Sequence, residues 1–363
     1  MSEARTSEAR TSEALVGPVE IVGVGLIGTS MGLACRRAGL EVLLTDPSDD
    51  HLRTASGLGA GRVRTDEDRP QLVVVAVPPD HLGQQIARAL DSGAFVTDVG
   101  SVKAGPLAAV AAHPALRNYV GGHPMAGSER SGPLAASSSL FDGRPWAVTA
   151  HATADPRAVD LVEALAALCG AVPVRLTPDE HDKAVARTSH LPHLMAALAA
   201  GALADAPSDH LALSGQGVRD VTRVAAGDPR LYGQIVSANA TAVAALLGGV
   251  RESLDTLIEA LGAGDRTGLE AVLSQGVAGT QAIPGKHGGP ARPSGRVFVA
   301  VPDHPGELAR LFADAGASEV NIEDVRIDHD PGRPVGLVEL VVDVDRIDHL
   351  LASLESRGWV THR

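Results

Sequence analysis

The stretch Gly121-Gly122-His123-Pro124-Met125-Ala126-Gly127-Ser128-Glu129 sets one titratable imidazole on a glycine-bracketed turn that a small ligand could approach closely. Glycines on both sides permit backbone angles that other residues resist, and Pro124 stiffens the step after the histidine. A neutral imidazole has one bare ring nitrogen, so His123 is a candidate acceptor for the proton of a substrate hydroxyl. Taken alone, a His-Pro pair in such a turn is ordinary loop punctuation; the choice depends on what accompanies it.

A cofactor site accompanies it. Val19 to Val22 is a short strand-like run, followed at once by Gly23-Val24-Gly25-Leu26-Ile27-Gly28 and a helical stretch ending near Gly39. Gly23 suits the tight turn, Gly25 lets backbone amides approach a pyrophosphate, and Gly28 lets the helix pack closely on the strand. The helix start at Leu26 and Ile27 supplies amide donors and partial positive charge to the phosphates. The next strand, Val42 to Thr45, ends in Asp46, 18 residues beyond Gly28, where a ribose-binding carboxylate belongs. An acid there favours NAD over NADP by accepting from the ribose hydroxyls and repelling a 2′-phosphate. The alternative for Asp46 is a loop aspartate that opens a turn with Pro47.

Other polar residues extend the set. Ser101, in Asp98-Val99-Gly100-Ser101-Val102-Lys103, is placed to hydrogen-bond one ring nitrogen of His123 or to cap the helix that starts after it. His181-Asp182 and Thr188-Ser189-His190-Leu191-Pro192-His193 lie in an apolar helical region, and His190 and His193 share a face if the helix continues through Pro192. Two histidines at that spacing could hold a metal, but no HExxH pattern accompanies them and no metal is expected. Arg219-Asp220-Val221-Thr222-Arg223 offers either solvated helix arginines or a fork for a substrate carboxylate.

The elements that must position these residues alternate. Strands at Leu72 to Val77 and Ala94 to Thr97 flank a helix from about Asp80 to Leu90, and a closing strand pair lies near Trp146–Thr149 and Val172–Leu176. Repeated β–α alternation implies a mostly parallel, doubly wound α/β sheet of Rossmann type, with ligands beyond the carboxyl ends of its strands. From Pro178 to Ile283 the chain is alanine- and leucine-rich with helical spacing, as in Val185 to Leu203 and Ala238 to Leu261. Such an all-α region suits burial against a second subunit, so a homodimer is expected.

Composition limits the partners. The net charge of −13 argues against nucleic acid or an anionic membrane surface as the main partner. Cys35 and Cys169 are the only cysteines, which suggests no disulfide framework and fits a reducing cytoplasm. No apolar run reaches the roughly 18 residues of a membrane span. The start of the chain, SEART-SEART-SEA, lacks the order of a signal peptide, and residues 1–16 are expected to be disordered.

Together these residues resemble a family. Gly23-x-Gly25-x-x-Gly28, Asp98 to Lys103, Gly122-His-Pro-Met-Ala-Gly127, Ser189-His-Leu-Pro-His193 and Arg219 to Arg223 with Asp228-Pro229 are similar, in consistent order over residues 18–283, to the prephenate/arogenate dehydrogenases of tyrosine biosynthesis. The resemblance implies that His123 takes the ring-hydroxyl proton of prephenate while the ring gives a hydride to NAD⁺ and loses CO₂. It implies further that Ser101 holds His123, Arg223 pairs with the ring carboxylate, His190 contacts substrate and Glu129 gates the site. His193 is either a substrate contact or a packed helix histidine. Arogenate as substrate, and a non-catalytic dinucleotide and amino-acid sensor, are the alternatives.

Ile283 to Gly295 is a Gly/Pro-rich linker. After it, residues 296–363 read β-α-β-β-α-β, the ferredoxin-like plan. VPDHPGELARLFADAGASEVNIEDV resembles an ACT domain, which implies a regulatory module with L-tyrosine as effector; a purely oligomerising role is the alternative. The expected organisation is a tail (1–16), an NAD-binding Rossmann-type domain (17–177), a helical substrate and dimerisation domain (178–283), a linker (284–295) and an ACT domain (296–363).

Overall fold

Short runs of Val, Leu and Ile bounded by glycine or proline fold as strands, and the segments between them as helices. The computed structural model describes residues 15–127, 130–283, 293–329 and 335–363, and the chain divides into two units, 1–250 and 251–363.

The first unit opens with β1 (Val19–Val22), α1 (Leu26–Arg37), β2 (Val42–Thr45), α2 (Asp49–Gly57), β3 (Arg62–Val63), β4 (Leu72–Val75), α3 (Leu82–Asp91) and β5 (Phe95–Asp98). The strands form one parallel sheet in the order β3-β2-β1-β4-β5. Both faces are covered. Leu72 and Val74 of β4 pack with Met31, Ala34 and Cys35 of α1, whereas Val73 and Val75 pack with Leu82, Ile86 and Leu90 of α3. That is why β4 reads as an unbroken apolar run. The order reverses direction at β1, and the strand ends there define the ligand crevice of such sheets.

After α4 (Ala104–Ala109), β6 (Gly121–Pro124) pairs antiparallel with β7 (Pro145–Thr149), and α5 (Pro156–Leu168) leads to β8 (Val172–Leu176), parallel to β7. The expected turn around His123 is thus corrected to a strand, with His123 opposite Ala147. The glycines serve close packing there. A Cβ on Gly122 would stand 2.8 Å from the Asp98 carbonyl oxygen and 3.0 Å from the Trp146 indole nitrogen.

The helical region comprises α6 (Pro178–Val185), a π-helical turn (Ala186–His190), α7 (Leu191–Gly201), α8 (Ser208–Leu211), α9 (Gln216–Thr222), a 3-10 turn (Arg223–Ala226), α10 (Pro229–Ala238) and α11 (Ala240–Ala263). The single helix expected over Val185 to Leu203 is broken by the π turn. Pro192, in the first turn of α7, has no N–H to donate backwards, and the backbone widens just before it. α10 and α11 meet at 95° on either side of Asn239. No single helix among the described residues is long and apolar enough to cross a membrane.

The second unit holds the end of α11, then α12 (Arg266–Gln281), and a segment of β9 (Ser294–Pro302), α13 (Glu307–Gly316), β10 (Ile322–His329), β11 (Val335–Asp343), α14 (Ile347–Ser356) and β12 (Val360–His362). Its antiparallel sheet runs β10-β11-β9-β12. Val297, Val299, Val338 and Leu340 alternate inward onto Leu311, Leu350 and Leu354. Residues 1–14 of the expected tail and 284–292 of the linker lie outside the described residues. The tail expectation is corrected at its end, because Leu15 is buried in the core and the amides of Val16 and Gly17 donate to Gln71 Oε1.

Candidate active site

Gly23 closes β1 with a φ of 98°, and a Cβ there would lie 2.4 Å from the Ala76 carbonyl oxygen. A Cβ at Gly28 would lie 2.0 Å from the Gly23 carbonyl oxygen, so α1 packs directly on the loop. A Cβ at Gly25 would meet nothing within 4 Å, which leaves the space before the helix open to a ligand. Gly25 makes no side-chain cap and the first turn of α1 carries no acid, so the amides of Leu26 and Ile27 open the helix without a competing anion. Asp46 follows β2, its two oxygens each accepting a backbone amide at 2.8 Å, from Val24 and from Ser48. This cradle fits a dinucleotide, with donors for a pyrophosphate and a fixed carboxylate for ribose hydroxyls.

A cavity of about 250 Å³ is lined by Ser101, His123, Ser189, His190, Tyr232 and Ile235 among others. A larger hollow of about 400 Å³ is lined chiefly by alanines such as Ala104, Ala108 and Ala152, and its His151 is already bonded to the carbonyls of Leu116 and Tyr119. The smaller cavity is where titratable groups converge, which makes it the candidate site.

His123 Nδ1 lies 2.9 Å from His181 Nε2, with the rings edge-on at 5.1 Å between centroids. His181 Nδ1 lies 2.8 Å from Asp182 Oδ1. A carboxylate only accepts, so His181 carries its proton on Nδ1; in the neutral ring Nε2 is then bare and accepts from His123 Nδ1–H. His123 Nε2 is left as a lone pair, the form a general base requires. Burial holds the His123 imidazole well below its ordinary range, and His181, Lys103 and His190 push the same way.

The supports of this chain are themselves held. Burial pushes the Asp182 carboxyl up, but bonds from His181 and from the amides of Ala104 and Lys103 outweigh it and hold the group below the usual carboxylate range. Behind β6, buried Lys103 Nζ bonds the Asp98 carboxylate and, at 2.8 Å, the carbonyl of Gly122. The other Asp98 oxygen accepts from the Tyr119 hydroxyl at 2.8 Å. Burial lowers the Lys103 ammonium against the pull of Asp98.

Not every expected residue joins the cavity. Ser101 is on its wall, but the ring partner of His123 is His181, so the expected Ser101–His123 bond is corrected. Nor does Ser101 cap a helix: the cap position of α4 is Lys103, and Asp182 takes the amides at its start. His190 lines the cavity and is buried, which lowers its imidazole although Asp182 pulls the other way. His193 instead stacks on Tyr232, with ring centroids 3.4 Å apart and planes within 4°. Arg223 starts the 3-10 turn, is exposed, and is not among the residues that line the cavity. Glu129 lies outside the described residues. Among the described residues no three or more His, Cys, Asp or Glu side chains are grouped to hold a metal ion.

Sequence reasoning left three residues without a role: His181, Asp182 and Asn239. The adjacent polar pair His181-Asp182 in an apolar region was a usable signal, whereas Asn239 in an alanine-rich run gave none.

A doubly wound sheet with a glycine-loop helix and an oriented, neutral imidazole defines a Rossmann-type dinucleotide-dependent dehydrogenase. Residues 31–175 match the family described as "Prephenate dehydrogenase, nucleotide-binding domain", and residues 177–275 that described as "Prephenate dehydrogenase, dimerization domain". The chain belongs to the prephenate dehydrogenase family. It is 36% identical over 353 residues to the "Probable prephenate dehydrogenase NovF" of Streptomyces niveus, spanning 93% of this chain and 98% of that protein. Among solved structures it resembles prephenate dehydrogenase from A. aeolicus in complex with hydroxyphenyl propionate and NAD⁺, at 27% identity and a TM-score of 0.67, over 74% of this chain and 99% of the other. The arogenate dehydrogenase of Synechocystis is similar at 26% identity and a TM-score of 0.62, over 72% and 98%.

Proposed function

We propose that the protein is an NAD-dependent prephenate dehydrogenase that converts prephenate to 4-hydroxyphenylpyruvate and CO₂. The observation that carries this is the His123–His181–Asp182 chain at 2.9 and 2.8 Å, which orients His123 with Nε2 as its accepting nitrogen, in the fold of this family. Bound NAD⁺ supplies the hydride acceptor. His123 Nε2 takes the proton of the ring C4 hydroxyl as the C4–H bond breaks and its electron pair leaves as hydride. The ketone so formed is conjugated to the quaternary carbon and draws in the electrons of the bond to the departing CO₂. The ring becomes aromatic, and its oxygen recovers the proton from His123. No outside proton is consumed, and aromatisation makes the step effectively irreversible.

Further roles rest on family resemblance. Arg223 is assigned the ring carboxylate, which suits a guanidinium fork. His190 is assigned a substrate contact and Glu129 a gate. A homodimer is supported by the dimerization-domain match over 177–275 and by exposed apolar side chains such as Leu198 at 67% and Leu213 at 87%. A monomeric mass in solution would remove the dimer.

The C-terminal β-α-β-β-α-β segment lies beyond the two matched family domains, and its reading as a tyrosine-sensing ACT domain is supported by topology and local resemblance. Likeness to the Synechocystis arogenate dehydrogenase supports arogenate as a second candidate substrate. One experiment addresses all of these: NADH formation by the full-length protein with prephenate or with arogenate, each with and without tyrosine. Faster turnover of prephenate supports the assignment, and faster turnover of arogenate reverses the substrate. Tyrosine that neither inhibits nor binds removes the effector.

A further inference from the structure

The two imidazoles of the cavity, His123 and His190, have different partners on their inner nitrogens. His123 Nδ1 faces an imidazole nitrogen, His181 Nε2, at 2.9 Å. His190 Nδ1 faces the side-chain amide nitrogen of Asn239 at 3.2 Å. That same Asn239 nitrogen lies 2.7 Å from the backbone carbonyl oxygen of Asp182. A carbonyl only accepts, so the atom beside it is the NH₂ nitrogen, which fixes which way the amide points. One amide hydrogen serves Asp182 and the other is aimed at His190 Nδ1, which must then be bare. Asn239 is buried at the corner between α10 and α11, where its amide cannot turn to water.

We propose that Asn239 is a positioning residue that holds His190 as the Nε2–H tautomer, so that the cavity offers a bare nitrogen from His123 and an N–H from His190. The two rings therefore have opposite polarity. A substrate that fits presents a hydroxyl donor to His123 and an acceptor oxygen, a carboxylate or carbonyl, to His190. An ammonium or hydroxyl proton directed at His190 meets another hydrogen and is disfavoured. Asp182 serves both arms: its carboxylate acts through His181 on His123, and its carbonyl fixes Asn239 and hence His190. Which ring meets the reacting hydroxyl rests on the proposed dehydrogenase reading; the proton assignment does not.

Nitrogen NMR of the full-length protein carrying isotope-labelled histidine distinguishes the two neutral tautomers directly. Signals are assigned by their loss in His123→Gln and His190→Gln. The expected native spectrum has His123 as Nδ1–H and His190 as Nε2–H. Asn239→Asp keeps the side-chain shape but replaces a donor by an acceptor, and moves the His190 proton to Nδ1 while His123 is unchanged. In turnover the same variant raises KM about tenfold with a smaller change in kcat. A native His190 in the Nδ1–H form, or one that Asn239→Asp leaves unmoved, overturns the proposal. If that variant does not fold, the native spectrum decides alone. The expected tautomers in a protein that turns over neither prephenate nor arogenate would support the proton assignment and overturn the functional reading.

Discussion

Lys103 and Asp182, 79 positions apart in the chain, are joined at 2.8 Å by the backbone amide of one and the carboxylate of the other. Asp182 also accepts from Ala104 N and from His181, so the group that orients the imidazole chain is the group that finishes the start of α4. The helical region is thereby fastened to the loop after β5, at the end of the sheet where the ligand crevice lies.

Asp182→Asn leaves the shape but puts an NH₂ where an oxygen accepted. Stability should fall by about 2–3 kcal/mol in denaturant unfolding, the range for a lost bond to a charged acceptor. Turnover should fall mainly in kcat, since His123 loses its orientation. A variant with native stability and native kcat would remove Asp182 from both roles.

Replacing His123 by Asn should lower kcat by about 10²–10⁴-fold, the usual contribution of a general base. NAD⁺ binding, followed by cofactor fluorescence, should persist because the glycine cradle is separate from this ring. Native turnover in His123→Asn would end its assignment as the base.

The pH profile follows from the lowered His123 imidazole. Protonated His123 cannot accept a proton, so kcat/KM should fall in acid, with its midpoint below the ordinary imidazole range. The sign for stability is the same. Folded His123 binds its proton more weakly than the unfolded chain does, so its contribution is complete above the ordinary imidazole range and is lost as pH falls. Melting temperature recorded against pH tests this; a Tm that rises on acidification through that range contradicts it.

Asp46→Ser removes the charge that repels a 2′-phosphate and one of two oxygens that hold the Val24 and Ser48 amides. NADP should gain relative to NAD, while NAD⁺ itself binds more weakly through the loosened loop. An unchanged ratio of kcat/KM for the two cofactors would place the selectivity elsewhere.

Lys103→Met leaves Asp98 buried with its ammonium partner removed, and should destabilise the protein by about 3–5 kcal/mol in chemical unfolding. Adding Asp98→Asn should recover part of that loss, because the uncompensated charge disappears. A double variant no more stable than the single one would show that packing, and not charge, is the origin of the effect.

What could be read in advance was local. The glycine spacing and Asp46 encode backbone geometry within one β-α-β unit, so their pattern survives in the sequence. His123 was visible as a motif, yet its flanking glycines suggested a turn. Gly122 is small because Asp98 and Trp146 press on it from other strands, and sequence does not display such neighbours. Asn239 and Asp182 act on residues 49 and 79 positions away, through bonds that exist only after the helices cross. Ser101 was given the partner that chain order suggested, whereas the fold supplied His181.

The π turn at Ala186–His190 makes chain length at this point as consequential as residue identity. A π turn carries one residue more than an α turn and takes it up within its widened ring. Pro192, two positions after it, has no N–H to donate one turn back, and that slack accommodates the proline ring. A one-residue deletion would close the ring and press Pro192 against the carbonyl one turn earlier, whereas a substitution alters one side chain. Divergence in this segment is therefore more open to replacement than to gaps.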